Sequence, residues 1–208
     1  ANAWYSSYGK PNEQVQILIY LGRSYANDGD YDKAMSIYTN ALEIGEKNKL
    51  YNLVGYTYSY IGDLYREKAM RTEAIKKYEM AADNFKKENN TDSYACALRD
   101  MGREYASIDS LSHAIEILSP ADSLTANSKD IDVRAAIDNA LGNIHVMQNK
   151  YDEAKKFFYK ALEGREKMPN YMALIDLYIA SDSISQAKGL LQKIPQDDPT
   201  YTCLLYTS

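Results

Sequence analysis

Histidine is the side chain best suited to move protons near neutral pH, and this chain has two, His113 and His145. Neither stands in a pattern that makes a catalyst. His113 falls immediately before Ala114, where a helix is expected to begin, and reads as a surface residue. His145 fills a slot that holds tyrosine elsewhere in the chain, and reads as a packing residue. Nucleophilic, metal-assisted or phosphoryl chemistry would need a serine elbow, a metal-binding histidine pair or a phosphate-cradling glycine loop. The patterns GxSxG, HExxH, the Walker loop and GxGxxG are all missing. Cys96 and Cys203 lie far apart, with no CxxC and no histidine at ligand spacing, so neither structural zinc nor a disulfide framework is expected. Glu43 and Glu46 stand beside Lys47 and Lys49, the pattern of a solvated helical face. The sequence therefore predicts no enzyme, no cofactor and no metal.

Composition narrows the classes further. The 208 residues are 45% hydrophobic and 25% charged, ordinary usage for a chain that buries a core. Net charge is −5, and no basic block stands apart from acids, which argues against nucleic-acid binding. No apolar run approaches the roughly 20 residues that a membrane span needs. The unusual figure is 20 tyrosines against 3 phenylalanines and 1 tryptophan. A large ring with a polar tip suits half-buried positions between helices and along grooves.

An internal repeat must position all of these residues. The phrase Leu21-Gly22-Arg23-Ser24-Tyr25 returns as Ile61-Gly62-Asp63-Leu64-Tyr65, Met101-Gly102-Arg103-Glu104-Tyr105 and Leu141-Gly142-Asn143-Ile144-His145, a period of 40 residues. A fifth copy, Leu174-Ile175-Asp176-Leu177-Tyr178, follows after 33. A second phrase keeps step, with alanine at 34, 74, 114, 154 and 187. Four residues beyond come Tyr38, Tyr78, Leu118, Phe158 and Leu191. Three further on come Ala41, Ala81, Ala121, Ala161 and Ile194. Each phrase has helical period. A glycine inside a helix costs about 1 kcal/mol relative to alanine, so its recurrence predicts close approach of a neighbouring helix. Asp30, Asp109 and Asp182 read as N-caps of second helices.

The two phrases resemble the tetratricopeptide repeat signature, W-x2-L-G-x2-Y followed by A-x3-F, from residue 15 to about 199. The tryptophan place holds Leu18, Tyr58, Leu98, Asp138 and Tyr171, and Asp138 and His145 make the fourth copy the weakest. A 40-residue spacing is what long bacterial members of the family show. The resemblance implies an all-α, right-handed α-solenoid of antiparallel helix hairpins, with a protein or peptide partner held in a concave groove lined by first helices. Carried onto this chain, the groove rows are Arg23, Asp63, Arg103, Asn143; Ile19, Ser59, Arg99, Asn139; and Gln16, Tyr56, Cys96, Ala136. The residues expected to meet a partner are Tyr56, Ser59, Arg99, Arg103, Asn139 and Asn143. The first row alternates in sign, so Arg23, Asp63 and Arg103 are expected to pair between adjacent helices. Arg99 has no acid in its row and is expected to lie open, free of intramolecular pairing. Asn139 and Asn143 would hold a peptide backbone. The Lys-and-Asn carboxylate clamp of chaperone-binding relatives is not reproduced.

The expected organisation is one array over residues 1–202, with repeats at about 15–48, 55–90, 95–128, 135–168 and 168–199. Residues 1–10 end a preceding repeat, 199–202 begin a further helix, and 203–208 are set apart as a sequence artefact. Joints are expected at 46–48, 87–92, 119–130 and 168–170, with Pro120 ending or bending the helix that holds it. The apolar ends, Trp4, Tyr5 and Tyr8 and then Leu204, Leu205 and Tyr206, suggest fraying or self-association. The function predicted is a protein-binding scaffold within a larger bacterial protein, cytoplasmic or periplasm-facing. The alternatives are a peptide-responsive regulatory domain and a carbohydrate-uptake component.

Overall fold

The structure, a computed structural model, describes residues 9–194. The expectations on residues 1–8 and 195–208, including both apolar ends and the 203–208 segment, lie outside the described residues. All regular structure described is helical. The helices are α1 (Pro11–Asn27), α2 (Tyr31–Lys47), α3 (Tyr51–Glu67), α4 (Arg71–Lys87), α5 (Thr91–Ser107), α6 (Leu111–Thr125), α7 (Ile131–Met147), α8 (Tyr151–Ala161), α9 (Met168–Ala180) and α10 (Ile184–Leu191). The chain divides into two compact units, one through Leu124 and one from Thr125. The first unit stacks the hairpins α1–α2, α3–α4 and α5–α6, and the second holds α7–α8 and α9–α10.

The 40-residue period has a simple origin. From α1 to α5 every helix is 17 residues long and each is followed by three residues of turn, so a new helix begins every 20. The turns share one geometry. At the first, the Gly29 amide donates to the Ala26 carbonyl and the Asp30 amide to the Tyr25 carbonyl, with Gly29 left-handed at φ 79°. This is the Schellman ending, in which two otherwise orphaned carbonyls gain donors. The same pair of bonds recurs around Lys49, Ala69, Asn89, Asp109, Asn149 and Asp182, all at positive φ. Two of the expected N-caps are thereby corrected. Asp109 and Asp182 are the left-handed turn residues, which their short polar side chains tolerate. Asp30 does cap, its carboxylate accepting from the Lys33 amide, and Asn90 and Asp130 cap in the same way.

The two phrases lock into each other. A Cβ on Gly22 would stand 2.4 Å from the Tyr38 ring, on Gly62 2.6 Å from Tyr78, and on Gly142 2.6 Å from Phe158. The glycine of the first phrase is thus the seat of the aromatic of the second. Tyr38, Tyr78 and Phe158, and the alanines four before and three after each, are at most 1% exposed. In the third copy Leu118 takes the aromatic's place against Gly102. In the fifth, Ile175 replaces the glycine, and Ala187, Leu190 and Ile194 are buried while Leu191 is only half-buried.

Several joints fall elsewhere than expected. Glu46 and Lys47 still belong to α2, and the turn is Asn48–Leu50. Helix α6 runs through Pro120 to Thr125. Pro120 lies on the exposed face, where water can serve the carbonyl it leaves unbonded, while Leu118 and Ala121 are fully buried and anchor the helix on either side. Met168, Pro169 and Asn170 open α9 rather than forming a loop, because proline is tolerated in a first helical turn whose amides have no partner.

Candidate functional site: a tyrosine-lined cavity in the first unit

Helices α1 and α3 are neighbouring first helices, and α2 packs beneath them. Between them lies a half-open cavity of about 370 Å³ lined by Arg23, Ala26 and Asn27 of α1, Tyr31 and Tyr38 of α2, and Tyr60, Asp63, Leu64, Arg66 and Glu67 of α3. Three tyrosines are among the lining residues, with Tyr38 almost wholly buried. Tyr38 and Tyr60 lie nearly parallel, with ring centroids 6.0 Å apart. Burial pushes both phenols above the usual tyrosine range, and the Arg23 cation partly offsets this in each. Tyr38 and Tyr60 therefore stay neutral donors at any physiological pH.

Charge in this region is mostly spent. The Asp63 carboxylate meets Arg66 at 3.0 Å and accepts a 2.8 Å hydrogen bond from the Tyr78 hydroxyl. Burial raises the Asp63 carboxyl above the usual aspartate value, and Tyr78 and Arg66 pull against that rise. Arg66 also reaches Glu67 at 3.6 Å. Arg23 does not pair with Asp63, contrary to the alternating-sign expectation. Its guanidinium lies over the Tyr60 ring, 5.1 Å from the centroid. Arg103 is exposed on α5 and makes no salt bridge among the described residues.

Arg99 is the main correction. Its Nε and Nη2 both reach one oxygen of Asp100, at 2.9 and 2.8 Å, and both side chains are largely buried. Successive helical residues do point about 100° apart at Cβ. The long arginine stem curls back across that angle, and in a site shielded from water the pairing is strong enough to hold it there. Arg99 is consumed internally.

The remaining site residues separate by unit. In the first, Tyr56 is partly exposed and shares a 2.8 Å hydrogen bond with Ser93, and Ser59 is half-buried beside Tyr60. In the second, the Asn139 amide donates to the Asn170 side chain at 2.6 Å, tying α7 to α9. Asn143 is exposed, with its amide nitrogen on Asn139. His113 is exposed, its ring against Tyr105, while His145 stacks on Phe157 at 5.3 Å, as expected of a surface and a packing residue. Sequence reasoning missed the cavity itself. The signal was present in Tyr31, Tyr38 and Tyr60, but their convergence needs the angle between α1 and α3, which periodicity does not carry.

Comparison with known proteins agrees with this architecture. Tetratricopeptide repeat profiles match residues 13–87 and 145–202. The chain is a tetratricopeptide repeat protein. Among curated proteins it is similar to the Photosystem I assembly protein Ycf3 of Acaryochloris marina, 34% identical over 79 residues, covering 37% of this chain and 47% of that protein. The Ycf3 of Rippkaea orientalis is 30% identical over 77 residues, covering 36% and 44%. The match thus spans under half the length of these curated relatives. Among solved structures, BtubC (BKLC) from P. vanneervenii superposes with a TM-score of 0.77 at 18% identity, over 88% of this chain and 79% of that one. A putative kinesin light chain with nearly identical TPR-like repeats from Podosopora anserina gives 0.68 at 16% identity, over 89% and 94%. These likenesses show the fold, an all-α solenoid of antiparallel helix hairpins. Repeats of this family indicate a protein-interaction scaffold, and the family and fold are generally non-catalytic. No described helix is long and apolar enough to cross a membrane.

Proposed function

We propose that this tetratricopeptide repeat protein is a non-enzymatic docking scaffold that seats a protein or peptide segment on the first unit, anchored in the α1–α3 cavity and continuing over Tyr56, Ser59 and Arg103. The cavity carries this reading. It is large enough for an amino-acid side chain and open to solvent, and Tyr31 and Tyr60 offer it large rings with polar tips. Tyrosine is over-represented among residues that dominate interface energies, because it buries much area at little entropy cost. Arg99 and Asn139 are left out of the contact surface, since each is engaged inside its own unit, and Asn143 belongs to the second unit. Within a larger bacterial protein such a segment would hold a partner in place, and the assembly role named for the two curated relatives fits that reading.

The test is an array of random nine-residue peptides probed with purified protein. Tyr60→Ala should lower capture of selected peptides by about tenfold or more, whereas Thr39→Ala, on the exposed face of α2, should change nothing. Equal capture by both variants and wild type would remove the cavity from the binding surface.

A further inference from the structure

We propose that the seam between α3 and α5 is a charge-set hinge, in which Asp63 and Arg66 of α3 and Arg99 and Asp100 of α5 fix the angle between two successive hairpins of the first unit. The hinge goes beyond the docking role and does not depend on what docks.

The seams on the two sides of α3 are built from different chemistry. Between α1 and α3 the contact is aromatic: Arg23 lies over the Tyr60 ring, and Tyr60 lies nearly parallel to Tyr38. Forty residues on, Asp63 takes the place of Arg23 and Asp100 that of Tyr60, so the repeat sets two carboxylates across the α3–α5 seam. Two carboxylates sharing a site repel unless each is answered. Each is answered from its own helix. Arg66 meets Asp63 at 3.0 Å, Tyr78 of α4 donates to the same carboxylate at 2.8 Å, and Arg99 meets Asp100 at 2.8 Å.

Across the seam these groups act on one another without joining. Burial is the main cause that raises the Asp63 carboxyl; from the far side Asp100 adds to that rise and Arg99 opposes it. Burial works against the Arg99 charge, which Asp100 chiefly, and Asp63 in addition, support. Among the described residues no ion pair crosses from α3 to α5, and the Arg71–Glu104 pair ties α5 to α4 instead. Two hydrogen bonds do cross, Asn52 with Asn90 at 3.0 Å and Tyr56 with Ser93 at 2.8 Å, both toward the N-terminal ends of the two helices. The seam is thus pinned at one end by neutral groups and carries four charges further along. Those four side chains are 14–38% exposed, shielded enough for Coulomb forces to exceed their strength in water.

The sense of the motion follows. Removing either carboxylate leaves its arginine to turn to the carboxylate on the other helix, which draws the charged ends together. Removing either arginine leaves two facing carboxylates with one cation between them, which drives those ends apart. With the N-terminal ends pinned, separation becomes angle. Tyr56 and Ser59 stand on α3 and Arg103 on α5, so the width of the surface they share follows the hinge.

The experiment uses the full chain. Backbone residual dipolar couplings give the angle between α3 and α5 and, as an internal control, that between α1 and α3. Asp100→Asn should close the α3–α5 angle and Arg99→Gln should open it, with the α1–α3 angle unchanged in both. Asp63→Asn and Arg66→Gln should repeat the two senses more weakly, because Arg66 also reaches Glu67. Each sense therefore has a second variant should the first fail to fold. In about 1 M salt, where the screening length falls to about 3 Å, the variants should return toward one common angle. The hinge is overturned if carboxylate and arginine variants move the angle in the same sense, or if none moves it beyond the scatter of repeated wild-type measurements. It is equally overturned if the shifts persist in high salt. Failure of both carboxylate variants, or of both arginine variants, to fold would also overturn it, since those groups would then hold the fold rather than set its angle.

Discussion

Glu104 is a buried carboxylate on α5, and the Arg71 guanidinium at the start of α4 meets it at 3.0 Å. Removing only the cation strands a charge away from water, which is the costly way to break such a pair. Arg71→Met should therefore destabilise the first unit by about 3 kcal/mol in urea unfolding, and adding Glu104→Leu should recover most of that loss. Recovery failing would mean that Glu104 is held by more than this pair. His145 gives the second unit a pH dependence. Burial, with Lys150 adding to it and Glu153 opposing, holds the imidazole below its ordinary value. Nδ1 is buried and finds no hydrogen-bond partner among the described residues. Above about pH 6.5 the ring is neutral in both folded and unfolded chains, so it favours neither. As pH falls below that value the unfolded chain takes up the proton first, and stability is lost down to the lower folded value. His145→Tyr, which restores the residue found in the other copies, should flatten the urea midpoint between pH 7 and pH 5 relative to wild type. An unchanged slope would show that other groups set it.

The helical hairpin is where sequence and structure agree best, and where their differences are most instructive. Periodicity alone was enough to find both phrases, because a 3.6-residue pattern with small residues at fixed places leaves few packing solutions. The glycine-to-aromatic lock was foreseen as close approach, though not its partner, since Tyr38, Tyr78 and Phe158 are specified only by the register between two helices. Gly62→Ala forces a methyl group into the Tyr78 ring. Such overpacking should cost about 1–3 kcal/mol, read as a lower melting temperature with helicity retained below it. The turns were less legible. Asp109 and Asp182 look like caps because aspartate serves both as N-cap and as a left-handed turn residue, and only the backbone angle separates the two. Ala69 holds φ 56° with no polar side chain to ease it. Ala69→Gly should accordingly stabilise the chain by about 1 kcal/mol, less some unfolded-state entropy. Destabilisation would mean that the alanine methyl packs more usefully than its strain costs.

Stability in a repeat protein is a sum over units and their nearest-neighbour interfaces, so helix length translates into local protection. The candidate site residues were the least legible level. Arg23, Asp63, Arg99 and Arg103 occupy equivalent or neighbouring slots, yet one stacks on a ring, two are paired and one is open, outcomes set by side-chain reach and burial rather than by register. Helix length, by contrast, follows directly from the chain. In the first unit α1 to α5 are each 17 residues, whereas α8, α9 and α10 have 11, 13 and 8. The residues of α10 that are buried are Ala187 and Leu190, against six on α4, Phe85 and Tyr78 among them. An eight-residue helix is far too short to hold itself and depends on that small contact with α9. Native-state hydrogen exchange should thus find the slowest amides in α3 and α4. Those of α10 should open with a free energy lower by about 2 kcal/mol or more, without unfolding of the first unit. Equal protection of α10 and α4 would show that the chain melts as one cooperative block, and that helix length does not set where it opens.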